Sequence, residues 1–143
     1  MTPRFDGFEA KIRDSFARQD MMRTLGATLD GIAPGKVDIA CPVLPEMRQQ
    51  HGFAHAAVSF AIGDSAAGYA ALSLMDEGDE VLTVEMKINL LAPASGDRLL
   101  ARGHVIRAGR RLVVVGASVI AETDGQQTQV ALLQGTMIPV ARP

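Results

Sequence analysis

Residues 54–71 read AHAAVSFAIGDSAAGYAA, and ten of these eighteen residues are Ala or Gly. The run holds no Pro and little β-branching, so it predicts one long helix of roughly 27 Å, reaching on to about residue 74. It has no charged face. A helix that is apolar all round must be enclosed by protein. Its small side chains would let a sheet come close to its backbone.

The apolar stretch is also long enough to span a bilayer. Asp64 sits near its middle, which costs about 2.5–3.5 kcal/mol on insertion scales, and the bulk is Ala, Gly and Ser. A membrane span is therefore not expected. Asp64 is the only charged residue between His55 and Asp76. A buried lone carboxylate costs several kcal/mol unless it is hydrogen-bonded or paired. Asp64 is thus either a structural acceptor or a functional group with a perturbed pKa.

Composition narrows the rest. With 143 residues the chain suits a single domain, 1–143. Aromatic residues are only 4%, with no Trp, so the core must be built from aliphatic side chains. The formal charge is −2, which does not favour nucleic acid as a partner. Cys41 is alone and reads as a core filler. No Cys/His cluster has metal spacing, so no metal or separate cofactor is assigned. The opening residues lack an apolar signal-peptide core, and a reducing cytoplasm is the expected compartment.

Along the chain, residues 6–23 carry Phe8, Ile12, Phe16 and Met21 near helical spacing. They predict one amphipathic N-terminal helix (within residues 1–23) with Asp6 as N-cap. Residues 24–33 and 36–43 read as a strand hairpin around Pro34-Gly35, with Pro42 at an edge or strand end. Residues 44–53 form a polar loop. Four longer strands are expected at 81–91, 98–107, 111–122 and 127–140. Turn signals join them: Pro93-Ala94-Ser95-Gly96, Ala108-Gly109-Arg110 and Asp124-Gly125. The class is α+β, an antiparallel sheet curled around one apolar helix. One such sheet cannot seal a helix on every side, so a homodimer is expected.

Gln49, His51 and His55 lie just before the long helix. The free amides of a helix start can polarise a carbonyl oxygen placed there. Thr83, on the strand that follows, reads by itself only as a good strand former. Arg107, Arg110 and Arg111 surround a turn; they read as a solvated tip or as phosphate contacts.

The run QQHGFAHAAVSFAIGDSAAGYA resembles the core of the PaaI-type hotdog-fold acyl-CoA thioesterases. That pattern has Asn or Gln, then His-Gly-Gly six residues on, then Asp nine residues after the His. Gln49, His55 and Asp64 fall on these positions, whereas the two glycines are Ala56 and Ala57. VEMKINLLAPASGD and RAGRRLVVVGASV resemble the strands that follow, and the likeness covers roughly residues 25–140.

The resemblance implies a hotdog fold, a homodimer or dimer of dimers, and hydrolysis of an acyl-CoA substrate, with CoA as part of that substrate. It makes the Ala56 N–H the oxyanion donor and Asp64, from the facing subunit, the general base or nucleophile. Gln49 and His55 would orient water or substrate. Thr83 would hold the Asp64 carboxylate or the water, and Arg107, Arg110 and Arg111 would meet CoA phosphates. Two rival readings are a non-catalytic acyl-CoA-binding protein and a hotdog hydratase or dehydratase. For the latter, His51-Gly52-Phe53 departs from the Gly-His-Phe-Pro loop.

Overall fold

The structure is a computed structural model that describes residues 1–141. The long apolar run forms α3, Ala56–Leu72, and six antiparallel strands make one sheet around it. The strands are β1 (Thr28–Ala33), β2 (Lys36–Pro42), β3 (Asp79–Leu90), β4 (Arg98–Ala108), β5 (Val113–Thr123) and β6 (Gln126–Ala141). Their order across the sheet is β1-β2-β4-β5-β6-β3. The expected β1–β2 hairpin and the β4–β5–β6 meander are both present. The chain then places β3 outside β6, so β1 and β3 are the free edges. Pro42 ends β2 without interrupting a central ladder.

Small residues set how closely helix and sheet approach. A Cβ on Gly103 of β4 would lie 2.2 Å from the backbone carbon of Ala66, so glycine is required where β4 crosses α3. Gly63 on the helix gives room in the same way to Leu133 of β6. Around this contact Ile39, Ile62, Ala66, Ala67, Leu99, Val115 and Leu133 are all buried. The core is aliphatic, as the shortage of rings required. The helix end is tied down by Ser73, whose Oγ accepts from Gly35 N at 2.7 Å and donates to Ala70 O at 2.6 Å.

Two expectations for the N-terminal segment need correction. A single helix over 6–23 does not form. It divides into α1 (Phe8–Ala17) and α2 (Asp20–Thr24), with Gln19 extended between them. On one straight helix Ile12 and Met22 would sit about 80° apart around the axis. The break lets both be buried, and it leaves Met21 half-exposed. The residue before α1 is Gly7, and no side chain caps that end, so Asp6 is not the N-cap.

Other boundaries also shift. Thr24 closes α2, and Gly26 turns the chain at φ +65°, so β1 begins only at Thr28. The loop 44–53 contains one short 3-10 turn, Pro45–Met47. The central helix ends at Leu72 instead of about residue 74, with Ser73 as its C-cap. Among the described residues no helix is long and apolar enough to cross a membrane.

Candidate active site

His55 starts α3 for a local reason. Its backbone is extended (φ −60°, ψ 142°), and its Nδ1 accepts the Ala57 N–H at 2.9 Å. That is an N-cap with imidazole in place of the usual hydroxyl or carboxylate. The bond uses Nδ1 as acceptor, so the ring proton of a neutral His55 sits on Nε2. The backbone before it is pinned as well: His55 N donates to Met47 O at 2.8 Å, and Ala54 N donates to Ala94 O at 3.0 Å.

Ala56 is the first helical residue, and its N–H has no intrahelical partner by geometry. No hydrogen bond from it to a protein group is recorded among the described residues. The amide stands at the positive end of a seventeen-residue helix, where negative charge is favoured. Both Ala56 and Ala57 have ordinary helical backbone, since Asp124 is the only non-glycine residue with positive φ among the described residues. Alanine in place of the glycines therefore brings no backbone strain.

Gln49 lies in the turn that leads to this helix. Its backbone N–H donates to Phe53 O at 2.8 Å, and its side-chain oxygen accepts from His51 N–H. Gln49, His55 and Ala56 share a cavity of about 530 Å³ with Phe53, Leu90 and Pro93. His51 is exposed and lines neither this cavity nor the one at Asp64.

Asp64 sits elsewhere. Nine residues further along α3, it is about 13.5 Å down the axis from His55 at the standard rise. Thr83 Oγ1 of β3 donates to its Oδ1 at 2.8 Å. Burial raises the Asp64 pKa from its ordinary value, and the Thr83 hydrogen bond pulls the other way. The pair borders a separate cavity of about 180 Å³, which Ser15, Gln19 and Tyr69 also line.

One chain therefore brings together Gln49, His55 and Ala56 in one place, and Asp64 with Thr83 in another. It does not bring the two groups to one cavity. Arg107, Arg110 and Arg111 lie exposed at the β4–β5 turn and reach neither.

Sequence spacing does not disclose Ser15, Gln19, Ser65 and Tyr69. Gln19 Nε2 donates to Tyr69 Oη at 3.1 Å, and Ser65 Oγ donates to Gln19 Oε1 at 3.2 Å. Tyr69 is the only tyrosine in the chain. A lone ring-bearing hydroxyl in an all-apolar helix was the one available signal that something polar must meet it.

Other chemistries find no support in the arrangement. Burial pushes the Cys41 thiol up to about 11, so it stays protonated near neutrality and is no nucleophile. Among the described residues there is no group of three or more His, Cys, Asp or Glu that could hold a metal ion.

An antiparallel sheet wrapped around one long helix defines a hotdog fold, here with a free amide at the helix start and a carboxylate midway along it. The comparisons with known proteins agree. The sequence model of the thioesterase superfamily matches residues 51–128, and the chain belongs to that superfamily. It is a thioester hydrolase.

A thioesterase family protein from Silicibacter pomeroyi has a solved structure that is 45% identical, with TM-score 0.93 over 95% of this chain and 100% of that one. The Escherichia coli PaaI protein, from the phenylacetic acid degradation operon, shares the fold at TM-score 0.84 and 22% identity, over 94% of each chain. A candidate esterase of Saccharolobus solfataricus is 29% identical over 105 residues, 73% of this chain and 74% of that protein.

Proposed function

We propose that the protein hydrolyses the acyl-CoA thioester of a small, medium-chain or aromatic acyl group, releasing the free acid and CoA at a site shared by two subunits. One observation carries this reading: the Ala56 amide and the Asp64 carboxylate that the reaction needs lie eight residues, about 12 Å, apart along one helix. A twofold partner facing the helix would set the carboxylate of one subunit against the amide of the other.

In that arrangement the thioester carbonyl accepts the Ala56 N–H, which stabilises the oxyanion as it forms. Asp64 of the facing chain takes a proton from water as the water adds, or attacks the carbonyl carbon itself. Collapse of the intermediate breaks the C–S bond, and the CoA thiolate takes up the proton that the water gives up; on the nucleophilic route that water adds afterwards and cleaves the acyl–Asp64 anhydride to the free acid. Gln49 and His55 Nε2 orient the water or the carbonyl, and Thr83 keeps one Asp64 oxygen turned into place.

A thiol-trapping assay over a panel of acyl-CoAs tests the reading. Free thiol should appear with the wild type, and Asp64→Asn should cut kcat by orders of magnitude while the chain stays folded. Unchanged turnover in that variant removes Asp64 from the mechanism, and no thiol release across the panel removes the hydrolase.

The Arg110 and Arg111 side chains have no ion pair or hydrogen bond among the described residues, which leaves them, with Arg107, available to meet the CoA phosphates in this reading. Replacing Arg110 and Arg111 together by Ala should raise KM for CoA esters several-fold more than for N-acetylcysteamine thioesters. Equal loss for both ester types would show that the tip does not contact CoA.

A further inference from the structure

The cavity beside Asp64 ends in a polar network whose hydrogen-bond count does not close. Ser15 Oγ and Tyr69 Oη are 3.3 Å apart, Gln19 Nε2 donates to Tyr69 Oη at 3.1 Å, and Ser65 Oγ donates to Gln19 Oε1 at 3.2 Å. Three hydroxyls and one amide NH2 supply five donor hydrogens. The three bonds use three of them. The remainder is one hydroxyl hydrogen and one amide hydrogen, and turning the Gln19 amide over leaves the same surplus.

In the free protein, water can take these donors. A bound group that fills the cavity displaces the water and must offer an acceptor, or leave donors buried and unpaired. The charge around the cavity narrows that acceptor further. Asp64 and Glu80 both line it, and no Lys, Arg or His does so among the described residues, so a further carboxylate would be repelled.

Size and reach fit the same picture. About 180 Å³ compares with the cavity of ~150 Å³ that holds one benzene, so there is room for about six to eight non-hydrogen atoms. Tyr69 lies five residues beyond Asp64 on α3, about 7.5 Å along the axis.

Resting on the proposal that Asp64 works on the thioester carbonyl, we infer that this cavity selects short acyl groups carrying a neutral acceptor oxygen near the distal end, read by Gln19, Ser15 and Tyr69. The N-terminal segment then determines specificity. Gln19 reaches the cavity because the chain is extended between α1 and α2. The segment is held there by the fully buried Ile12 and by Lys11 Nζ, which donates to Glu77 O at 2.8 Å.

The test uses a matched pair, the 5-oxohexanoyl and 5-methylhexanoyl thioesters of CoA, in which a carbonyl oxygen replaces a methyl group of similar size. Wild-type kcat/KM should favour the oxo ester by about tenfold or more, the usual penalty for leaving site donors unpaired. Gln19→Leu and Tyr69→Phe should bring the ratio to within about twofold of one, with folding checked by thermal melts.

Thioether analogues of the same pair, which cannot be hydrolysed, read binding alone by calorimetry. Hydrolysis of both esters at equal efficiency overturns this inference and leaves the hydrolase standing. A preference that survives in Gln19→Leu and in Tyr69→Phe also overturns it. If neither ester is cleaved but the oxo analogue binds more tightly, the hydrolase reading fails and the selection stands. Equal binding without cleavage ends both.

Discussion

Two opposing influences act on Asp64. Burial favours its protonated form, and the Thr83 hydroxyl, which donates to the carboxylate, favours the charged one. A general base must be deprotonated, so activity should rise with pH through the raised Asp64 pKa. Removing the Thr83 donor withdraws the influence that lowers this pKa. The acid limb of the kcat/KM profile should therefore move to higher pH in Thr83→Val, with the high-pH plateau reduced less than the mid-range rate. An acid limb at the wild-type position would show that another group sets it.

The same residue shows how far local reading goes. His55 and Asp64 are nine positions apart on one helix, so their spacing is fixed as soon as the helix is recognised. The Thr83 contact is of another kind. It exists because β3 pairs with β6, with Thr83 opposite Met137, and this turns the Thr83 side chain onto α3. Nothing in a strand former's own neighbourhood announces that.

At the scale of elements, the balance is between close approach and empty space. The Ala- and Gly-rich helix can lie against the sheet only because β4 offers Gly103 where the two cross. Gly103→Ala would drive a methyl group into helix backbone, which cannot move aside as a side-chain tip can. It should cost about 2–3 kcal/mol and lower the melting temperature by roughly 5–10 °C. A calorimetric melt measures this, and a loss of under one degree would mean the helix shifts freely.

Legibility also varied among the elements. The central helix and the four long strands were readable because each has its own periodicity and its own turn signals. The Asp124-Gly125 hairpin is an example: both residues take positive φ, at 48° and 77°. The break at Gln19 was not readable. Helical spacing continues through it, and the chain turns there only because Ile12 and Met22 must both be buried in a core built by residues far away.

At the scale of the whole molecule, one face is unfinished. Ala56, Ala57 and Phe60 of α3 are exposed, and on the free edge strand β3 Leu82 and Val84 are 55% and 56% exposed. Apolar surface along an unpaired strand edge invites a second copy. The proposed composite site predicts complementation. Asp64→Asn and Gln49→Ala should each be nearly inactive alone. Co-expressed, they should recover about a quarter of wild-type activity, because half the dimers are mixed and each mixed dimer keeps one intact site. Activity no higher than the sum of the two variants would show that each chain works by itself.

The sequence by itself determined the buried helix, the strands, and the register of His55, Ala56 and Asp64. These follow from local periodicity and from the cost of burying charge in an apolar run. Only the tertiary structure decided which edge of the sheet stays open, which hydroxyl meets Asp64, and how the N-terminal segment comes to line the cavity. Those outcomes depend on contacts between residues 19 to 54 positions apart in the chain. Such contacts are selected by the packing of the whole core, and no single segment encodes them.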